Sequence, residues 1–271
     1  MCGVAGVLRW DGQNESIAVQ DMVSALSHRG PDAEECNHLG PITLGHRRLS
    51  IIDLNTAANQ PMHDAEGRGA IVYNGEIYNY RELRDELRNV GETFTTDSDT
   101  EVLLKGLARF GESFLPRVIG MFALAFWDIR KNKLLLARDR LGEKPLYYFE
   151  TSLGVVFASE LTSLRRYQDV PTDINSNAII GFLSVGYTPT SECIINDVKK
   201  LPPGHVAFAE KGKPVQIKAW WNLSDLLHNK RTWNSFDDAV EYLDELIDES
   251  VKCRMIADVP LGAFLSGGID S

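Results

Sequence analysis

The sequence is poor in cysteine, in basic residues and in long apolar runs. Its 271 residues include four widely scattered cysteines and no CxxC pair, which argues against zinc ribbons and disulfide-dense secreted domains. Lysine and arginine total 28 against 38 aspartate and glutamate, a net charge of −10, with no more than two basic residues adjacent. This balance argues against nucleic-acid or anionic-membrane partners.

The apolar residues are also distributed in short runs. No stretch reaches the roughly 18 consecutive apolar residues of a transmembrane helix, and residues 1–12 lack the features of a signal peptide. We therefore expect a cytoplasmic protein without a membrane partner. The 44% hydrophobic content supports a sizeable core in one large or two ordinary domains.

Strand-like segments dominate the first two thirds of the chain. The runs MFALAFWDI and NKLLLAR, joined by the polar residues 130–132, predict a hairpin. Asn79 with Glu82, and Ser98 with Glu101, are capping-box signatures that predict two helix starts. Many strands with a few helices between them indicate a layered α+β domain.

A change of composition between about residues 201 and 233 predicts a domain boundary. An amphipathic helix pattern follows Ser235, and the apolar run 259–265 then predicts a short strand that leads into SGGIDS. We expect one domain over residues 2–222 and the beginning of another over residues 233–271.

Cys2 is the first candidate for chemistry. Removal of Met1 would place a thiol and a free α-amine on one residue, and the amine can act as a base near neutral pH. We expect the thiol to be readily converted to thiolate. Considered alone, however, a cysteine at the second position is more often a small apolar residue at the start of a strand.

The sequence YNGEIYN at 73–79 offers the partner of such a nucleophile. The Asn74 amide and the Gly75 backbone N–H are two donors that could stabilise an oxyanion during attack on a carboxamide. The alternative is a type I′ hairpin turn, which Asn-Gly favours. A helix beginning near residue 80 would leave that hairpin a very short second strand.

Arg47 or Arg48, together with Asp99, could bind an amino-acid substrate. One of the adjacent Arg47 and Arg48 could bind a carboxylate in a bidentate manner, while the other would be a solvated strand end. Asp99 could accept an ammonium group, although an aspartate in a first helical turn also interacts favourably with the helix dipole.

The segment PLGAFLSGGIDS exposes backbone N–H groups suited to a phosphate or pyrophosphate, and Asp270 could bear a magnesium ion. A plain Gly-Gly turn is the alternative. The lysine of the common phosphate-binding loop is missing.

In combination, the motifs resemble the glutamine-hydrolysing asparagine synthetases, in the order that family has them. They are MCGVAG at 1–6, HRGPD at 28–32, GHRRLSIID at 45–53, NQPM at 59–62, YNGEIYN at 73–79, SDTE at 98–101, GMFALAFWD at 120–128, RDRLGEKPLYY at 138–148 and LSGGIDS at 265–271. Val4 and Val7, where isoleucine is frequent, preserve the apolar character.

The resemblance implies a class II glutamine amidotransferase domain with the four-layer αββα N-terminal-nucleophile hydrolase fold. The first helix and strand of an α/β ATP-pyrophosphatase synthetase domain would follow it. It also implies that Cys2 is the nucleophile, that Asn74 and Gly75 form the oxyanion hole, and that Arg48 binds the glutamine carboxylate. The other implied glutamine-binding residues are Leu49, Ser50, Ile51, Ile52, Glu76 and Asp99. The implied nucleotide-binding residues are Leu265, Ser266, Gly267, Gly268, Asp270 and Ser271, with Asp270 as metal ligand.

The implied reaction is hydrolysis of L-glutamine by this chain without a cofactor. The full-length enzyme would use the ammonia, with ATP and Mg²⁺, to amidate L-aspartate. Three alternatives stay open: a related amidotransferase with another carboxylate acceptor, a non-catalytic binding module with the same fold, and a glucosamine-phosphate synthase, against which SGGIDS argues. The sequence leaves the oligomeric state open, with a homodimer as one option.

Overall fold

The computed structural model describes residues 1–189, 192–228 and 231–268. Its strands are β1 (Gly3–Arg9), β2 (Ala33–Leu39), β3 (Ile42–Arg48), β4 (Met62–His63), β5 (Gly69–Ile77), β6 (Gly120–Asp128), β7 (Lys133–Arg138), β8 (Tyr147–Thr151), β9 (Gly154–Ala158), β10 (Lys199–Lys200), β11 (His205–Glu210) and β12 (Gln216–Ala219). Its α-helices are α1 (Ser16–Ser24), α2 (Tyr80–Asn89), α3 (Asp99–Phe110), α4 (Leu161–Leu164), α5 (Ser176–Val185) and α6 (Phe236–Cys253). Short 3-10 helices span Thr56–Ala58, Gly111–Arg117 and Leu223–His228.

Two six-stranded antiparallel sheets form the centre of the fold. One has the strand order β10-β8-β9-β1-β3-β2, and the other has the order β12-β11-β7-β6-β5-β4. Apolar side chains from both sheets, such as Val4 and Val72, form a shared core between them. Alternate residues of a strand face opposite sides, so each sheet also has an outer apolar face to cover.

Helices cover both outer faces. One core cluster joins the first sheet to α1 and α4, and another joins the second sheet to α2, α3 and the 3-10 helix Gly111–Arg117. Three apolar layers therefore separate four structural layers, which confirms the predicted αββα arrangement of an α+β domain.

The secondary-structure predictions for the two-sheet part of the chain are mostly confirmed. β6 and β7 pair antiparallel as the predicted hairpin. The Ser98 hydroxyl accepts a hydrogen bond from the Glu101 N–H at 3.2 Å and caps α3. Asn79 precedes α2, but its side chain instead bonds Arg117 O and the Ile119 N–H, at 2.9 Å each. It therefore ties the helix start to a neighbouring segment.

The C-terminal segment differs from its prediction in one respect. Helix α6 forms and is capped by Ser235, whose hydroxyl accepts from the Asp238 N–H at 3.1 Å. The strand expected over residues 259–265 is wrong, since these residues form no strand in the structure. A strand needs a neighbouring edge for its backbone groups, and the described chain provides none here. In the described ranges, no helix has both the length and the apolar character needed to cross a bilayer.

Candidate active site

A cleft opens where the start of β1, the loop after β3, the strand β5 and the start of α3 meet. Its lining includes seven of the residues expected to take part in glutamine binding or catalysis: Cys2, Arg48, Leu49, Ile51, Ile52, Glu76 and Asp99. The expected Ser50 lies in the same loop, but its N–H donates to Asp32 Oδ2 at 2.7 Å and it is not part of the lining. Tertiary structure thus brings together residues separated by up to 97 positions.

Cys2 lies against the backbone of the loop after β3. Its Sγ is 3.4 Å from the Leu49 nitrogen and 3.5 Å from the Leu49 oxygen. Burial raises the pKa of the thiol, and the hydrogen bond from the Leu49 N–H partly opposes this rise. With Met1 in place, the surroundings therefore favour the thiol, and the expected ready formation of the thiolate is not supported.

Two cationic side chains surround the N-terminus. The Arg29 Nε donates to Cys2 O at 2.9 Å, and the buried Lys144 Nζ lies 3.4 Å from Met1 Sδ. Burial lowers the pKa of the Met1 amine, and the charges of Arg29 and Lys144 lower it further. The α-amine of Met1 is thereby shifted toward its neutral, basic form.

Asn74 provides an unpaired donor on the face toward Cys2. Val4 and Val72 both belong to the core between the sheets. Side chains alternate along a strand, so residues two positions apart lie on the same face. Cys2 therefore lies on the same face as Val4, and Asn74 lies on the same face as Val72. These two faces are opposed across the core. Asn74 is 1% exposed, and its Nδ2 has no hydrogen-bond partner in the described chain. Buried amide donors are normally paired, so this one is suited to an external acceptor.

The Gly75 N–H points toward the cleft edge of β5. The Tyr73 N–H donates to Gln60 Oε1 at 2.6 Å and the Ile77 N–H donates to Asp99 Oδ2 at 3.0 Å. Gly75 lies midway between them, and its partner Phe122 uses its own N–H and C=O on Asp139. By the period of two, the Gly75 N–H faces the same edge.

The position of Asn74 and Gly75 within a strand also excludes the type I′ hairpin turn, which was the alternative interpretation. Both residues lie inside β5 and pair with β6, so they do not form a hairpin turn. A Cβ atom at Gly75 would lie 2.0 Å from Met121 O, so only glycine fits there without a shift of the backbone.

Two carboxyl groups, those of Glu76 and Asp99, also line the cleft. Asp99 Oδ2 accepts hydrogen bonds from the Tyr73 hydroxyl at 2.9 Å and from the Ile77 N–H. Burial raises the pKa of Asp99, and these donors oppose the rise. Burial also raises the pKa of Glu76, and the charge of Asp99 adds to it. A bound ammonium group would favour the charged form of both.

The two adjacent arginines have different partners. Arg47 forms an ion pair with Glu34 on the neighbouring strand. Arg48 lines the cleft, and its two terminal nitrogens donate to loop carbonyls and to Asn59 Oδ1, leaving Nε without a partner in the described chain. Arg48 is therefore the arginine that is placed at the site, and it organises the loop as well.

Sequence reasoning missed the residues that support this site. Gln60 bonds the Tyr73 N–H and also donates to Thr100 Oγ1 at 3.2 Å, and both Gln60 and Thr100 line the cleft. His46 Nε2 lies 3.0 Å from Tyr73 O, and burial lowers its pKa to about 3, so the ring is a neutral donor. The motif NQPM contained Gln60, but only the fold shows what it contacts.

The nucleotide-binding expectation is not supported by a formed pocket. Leu265 is 82% exposed, and the Gly268 N–H donates to Ser266 Oγ at 3.2 Å. Among the described residues, apart from Gly267 and its two chain neighbours, no atom lies within 4 Å of a Cβ placed on Gly267. Residues 265–268 thus do not enclose a nucleotide by themselves. Asp270 and Ser271 lie outside the described residues, and no described cluster could hold a metal ion.

Comparison with known proteins gives the same family as the motifs. The glutamine amidotransferase domain family matches residues 1–221, and the asparagine synthase family matches residues 242–271. The chain therefore belongs to the glutamine amidotransferase domain family.

Similar proteins include two asparagine synthetases [glutamine-hydrolyzing] of Bacillus subtilis strain 168. Number 1 is 36% identical over 275 residues, covering 100% of this chain and 43% of the relative. Number 3 is 34% identical over 278 residues, covering 100% of this chain and 44% of the relative. The chain thus spans less than half the length of these relatives.

A solved structure shows the same fold. It is the glutamine phosphoribosylpyrophosphate amidotransferase of B. subtilis in complex with ADP and GMP, which superposes with a TM-score of 0.57. The match has 19% sequence identity and covers 80% of this chain and 49% of the other. The predicted N-terminal-nucleophile hydrolase fold is confirmed.

Proposed function

We propose that this member of the glutamine amidotransferase domain family hydrolyses L-glutamine to L-glutamate and ammonia. The observation that carries the proposal is the unpaired, buried Asn74 amide on the surface that faces Cys2. Asn74 and Gly75 are not in the cleft lining themselves, but they lie in β5 between Tyr73 and Glu76, which both are. Asp99 and Arg48 supply an anionic and a cationic group for the α-ammonium and α-carboxylate of the substrate.

The reaction begins after removal of Met1. The Cys2 amine takes the thiol proton, and the thiolate attacks the side-chain amide carbon of glutamine. The carbonyl oxygen then carries the negative charge, which Asn74 Nδ2 and the Gly75 N–H stabilise. The C–N bond breaks as the amine returns the proton to the leaving nitrogen, and ammonia departs. Water then cleaves the thioester, giving glutamate and the free thiol.

The lowered pKa at the N-terminus supports this role of the amine. Burial, and then the charges of Arg29 and Lys144, lower the pKa of the Met1 amine. We propose that the same surroundings keep the Cys2 amine available as a base once Met1 is removed. Once protonated by the thiol, it becomes a stronger acid for the leaving group. At the thiol, burial raises the pKa, while the hydrogen bond from the Leu49 N–H and the charge of Arg48 oppose that rise and favour the thiolate.

The whole protein, we propose, is an asparagine synthetase. Residues 2–222 form the glutaminase domain and residues 233–271 begin the synthetase domain, a division supported by the two family matches. The synthetase half would amidate L-aspartate at the expense of ATP with Mg²⁺. The predicted roles of residues 265–271 and Asp270, a homodimer and a cytoplasmic location stay predictions.

Substitution of the nucleophile tests the glutaminase proposal. Cys2→Ala should abolish glutamate release while the far-ultraviolet circular dichroism and the melting temperature stay close to wild type. The matched control is Cys36→Ala, because Cys36 is a half-buried cysteine on β2 away from the cleft. It should retain activity. Glutamate release by a Cys2→Ala protein at the wild-type rate would refute the proposal, and mass spectrometry of the wild type checks that Met1 is absent.

A further inference from the structure

The loop after β3 is held in place by Arg48, the last residue of that strand, which lines the cleft. Arg48 donates to Asn55 O at 2.9 Å, to Asn59 Oδ1 at 2.7 Å, to Ile52 O at 3.5 Å and to Asp53 O. The same loop carries Leu49, which contacts the Cys2 thiol. The conformation of residues 49–55, named here the 49–55 loop, thus determines where Arg48 lies relative to Cys2.

Asp53 is the strained point of the 49–55 loop. Its φ is 52°, in the left-handed region that a non-glycine residue adopts only at an energetic cost. Its carboxylate accepts from the Asn55 N–H at 3.0 Å and from the Asp97 N–H at 2.8 Å, and its carbonyl accepts from Arg48. Such a conformation persists only where the surroundings hold it.

The backbone N–H of Asp53 bonds a residue that is distant in sequence. Its N–H donates to Asp258 Oδ2 at 2.7 Å, across 205 positions of sequence. The contact is reciprocal, since the Asp258 N–H donates to Ile51 O at 2.9 Å. Asp258 therefore bonds the 49–55 loop on both sides of Ile52, which lines the cleft.

Asp258 is itself anchored by the segment that follows α6. The Arg254 guanidinium lies 5.0 Å from the centre of the Tyr78 ring, and Ile256 packs against the core around the second sheet. Tyr78 directly follows β5, the strand that contains Asn74 and Gly75. Residues 254–258 thus bridge the two walls of the cleft.

We propose that Asp258 is a positioning residue for glutamine hydrolysis, which holds the 49–55 loop, and through it Arg48, in the substrate-binding conformation. This inference rests on the proposed glutaminase function. Asp258 lies within the segment that matches the asparagine synthase family, whereas the loop lies within the glutamine amidotransferase match. A residue of the segment that matches the asparagine synthase family thus positions the substrate site of the segment that matches the glutamine amidotransferase family.

Hydrogen–deuterium exchange tests the contact without reference to activity. In the purified protein, Asp258→Ala should raise exchange in peptides covering residues 49–57 by about 3- to 10-fold, the factor expected for loss of one hydrogen bond. Asp258→Asn keeps an oxygen acceptor and should restore exchange to within about twofold of wild type. Asp244→Ala on α6 is the matched control, because Asp244 is exposed and does not contact the loop.

Glutaminase kinetics test the consequence. Asp258→Ala should raise the KM for glutamine by about 3- to 10-fold with kcat changed less than about twofold, because the loop must be ordered before substrate binds. Asp258→Asn should restore KM, and Asp244→Ala should leave it unchanged. A loss of kcat alone, failure of Asp258→Asn to restore KM, or an equal effect in Asp244→Ala would overturn the proposal.

The two readouts separate this inference from the proposed function. If the wild-type protein releases no glutamate, the proposed function fails, and exchange at residues 49–57 still decides whether Asp258 holds the loop. Unchanged exchange in Asp258→Ala refutes the positioning role, whatever the activity of the wild-type protein.

Discussion

Helices α3 and α6 begin with the same sequence signal and differ in their surroundings. Each is capped by a serine hydroxyl, Ser98 or Ser235, and each carries apolar residues at helical spacing. Ten of the twelve residues of α3 are buried, whereas none of the eighteen residues of α6 is buried. A periodic pattern thus predicts that a helix forms, but it does not tell whether the apolar face is covered.

The difference follows from what each helix packs against. α3 lies on the second sheet, where its side chains join those of β5 and β6 in one core. α6 contacts the rest of the described chain mainly near its C-terminal end, where Leu246, Cys253 and Arg254 line a shallow groove with Tyr78 and Ile119. The same residue types should therefore contribute very differently to stability in the two helices.

The largest effect is expected for truncation in α3. Leu107 is 1% exposed, so Leu107→Ala should lower the free energy of unfolding by about 2–5 kcal/mol through lost burial and a residual cavity. Urea denaturation followed by tryptophan fluorescence measures this loss. A change below about 1 kcal/mol would show that the helix is less tightly packed than the structure indicates.

A smaller effect is expected between pH 7 and pH 5 from the titration of histidine, and it should not involve residues 236–268. Residues 236–268 contain no histidine, whereas His46 is buried between the sheets. Its pKa is lowered from 6.5 to about 3 by burial, so the unfolded chain binds a proton that the folded chain does not. Its contribution is fully present above pH 6.5 and is lost as pH falls toward 3, by up to about 1.4 kcal/mol per pH unit.

The His46 contribution can be isolated with His46→Gln, which retains an N–H donor for Tyr73 O. Denaturation between pH 7 and pH 5 should show a shallower dependence in the variant than in wild type. In the wild-type protein, the His46 ring resonances should not shift over this range. Titration of the ring near pH 6.5 would contradict the inferred burial.

The smallest effect is expected for the matching substitution in α6. Leu243 is 56% exposed, so Leu243→Ala should change the free energy of unfolding by no more than about 0.5 kcal/mol. The substitution is the same as Leu107→Ala and also lies within a helix, so helix propensity cancels in the comparison. A loss comparable to that of Leu107→Ala would mean that the apolar face of α6 is covered in solution.

The capping-box signatures at Asn79 and Ser98 show what a local sequence pattern can predict and what it cannot. Both predict a helix start, and both helices form. Ser98 acts through its own helix, whereas Asn79 bonds residues 117 and 119, which no local pattern around position 79 could indicate. The strand expected over residues 259–265 failed for a related reason, because a strand requires partners from elsewhere in the chain.

The sequence by itself determined a layered α+β domain, and the resemblance of its motifs implied the family, the αββα arrangement and the identity of the candidate nucleophile. Short motifs and alternating apolar runs are local features, and they were sufficient for these conclusions. Only the tertiary structure showed that Arg47 pairs with Glu34 while Arg48, the arginine that the resemblance implies, lines the cleft, and that the Asn74 amide has no partner in the described chain. It also showed that Gln60, His46 and Asp258 support the site. These last three residues form hydrogen bonds with residues 13 to 207 positions away, and the packing of the chain sets the geometry of those bonds.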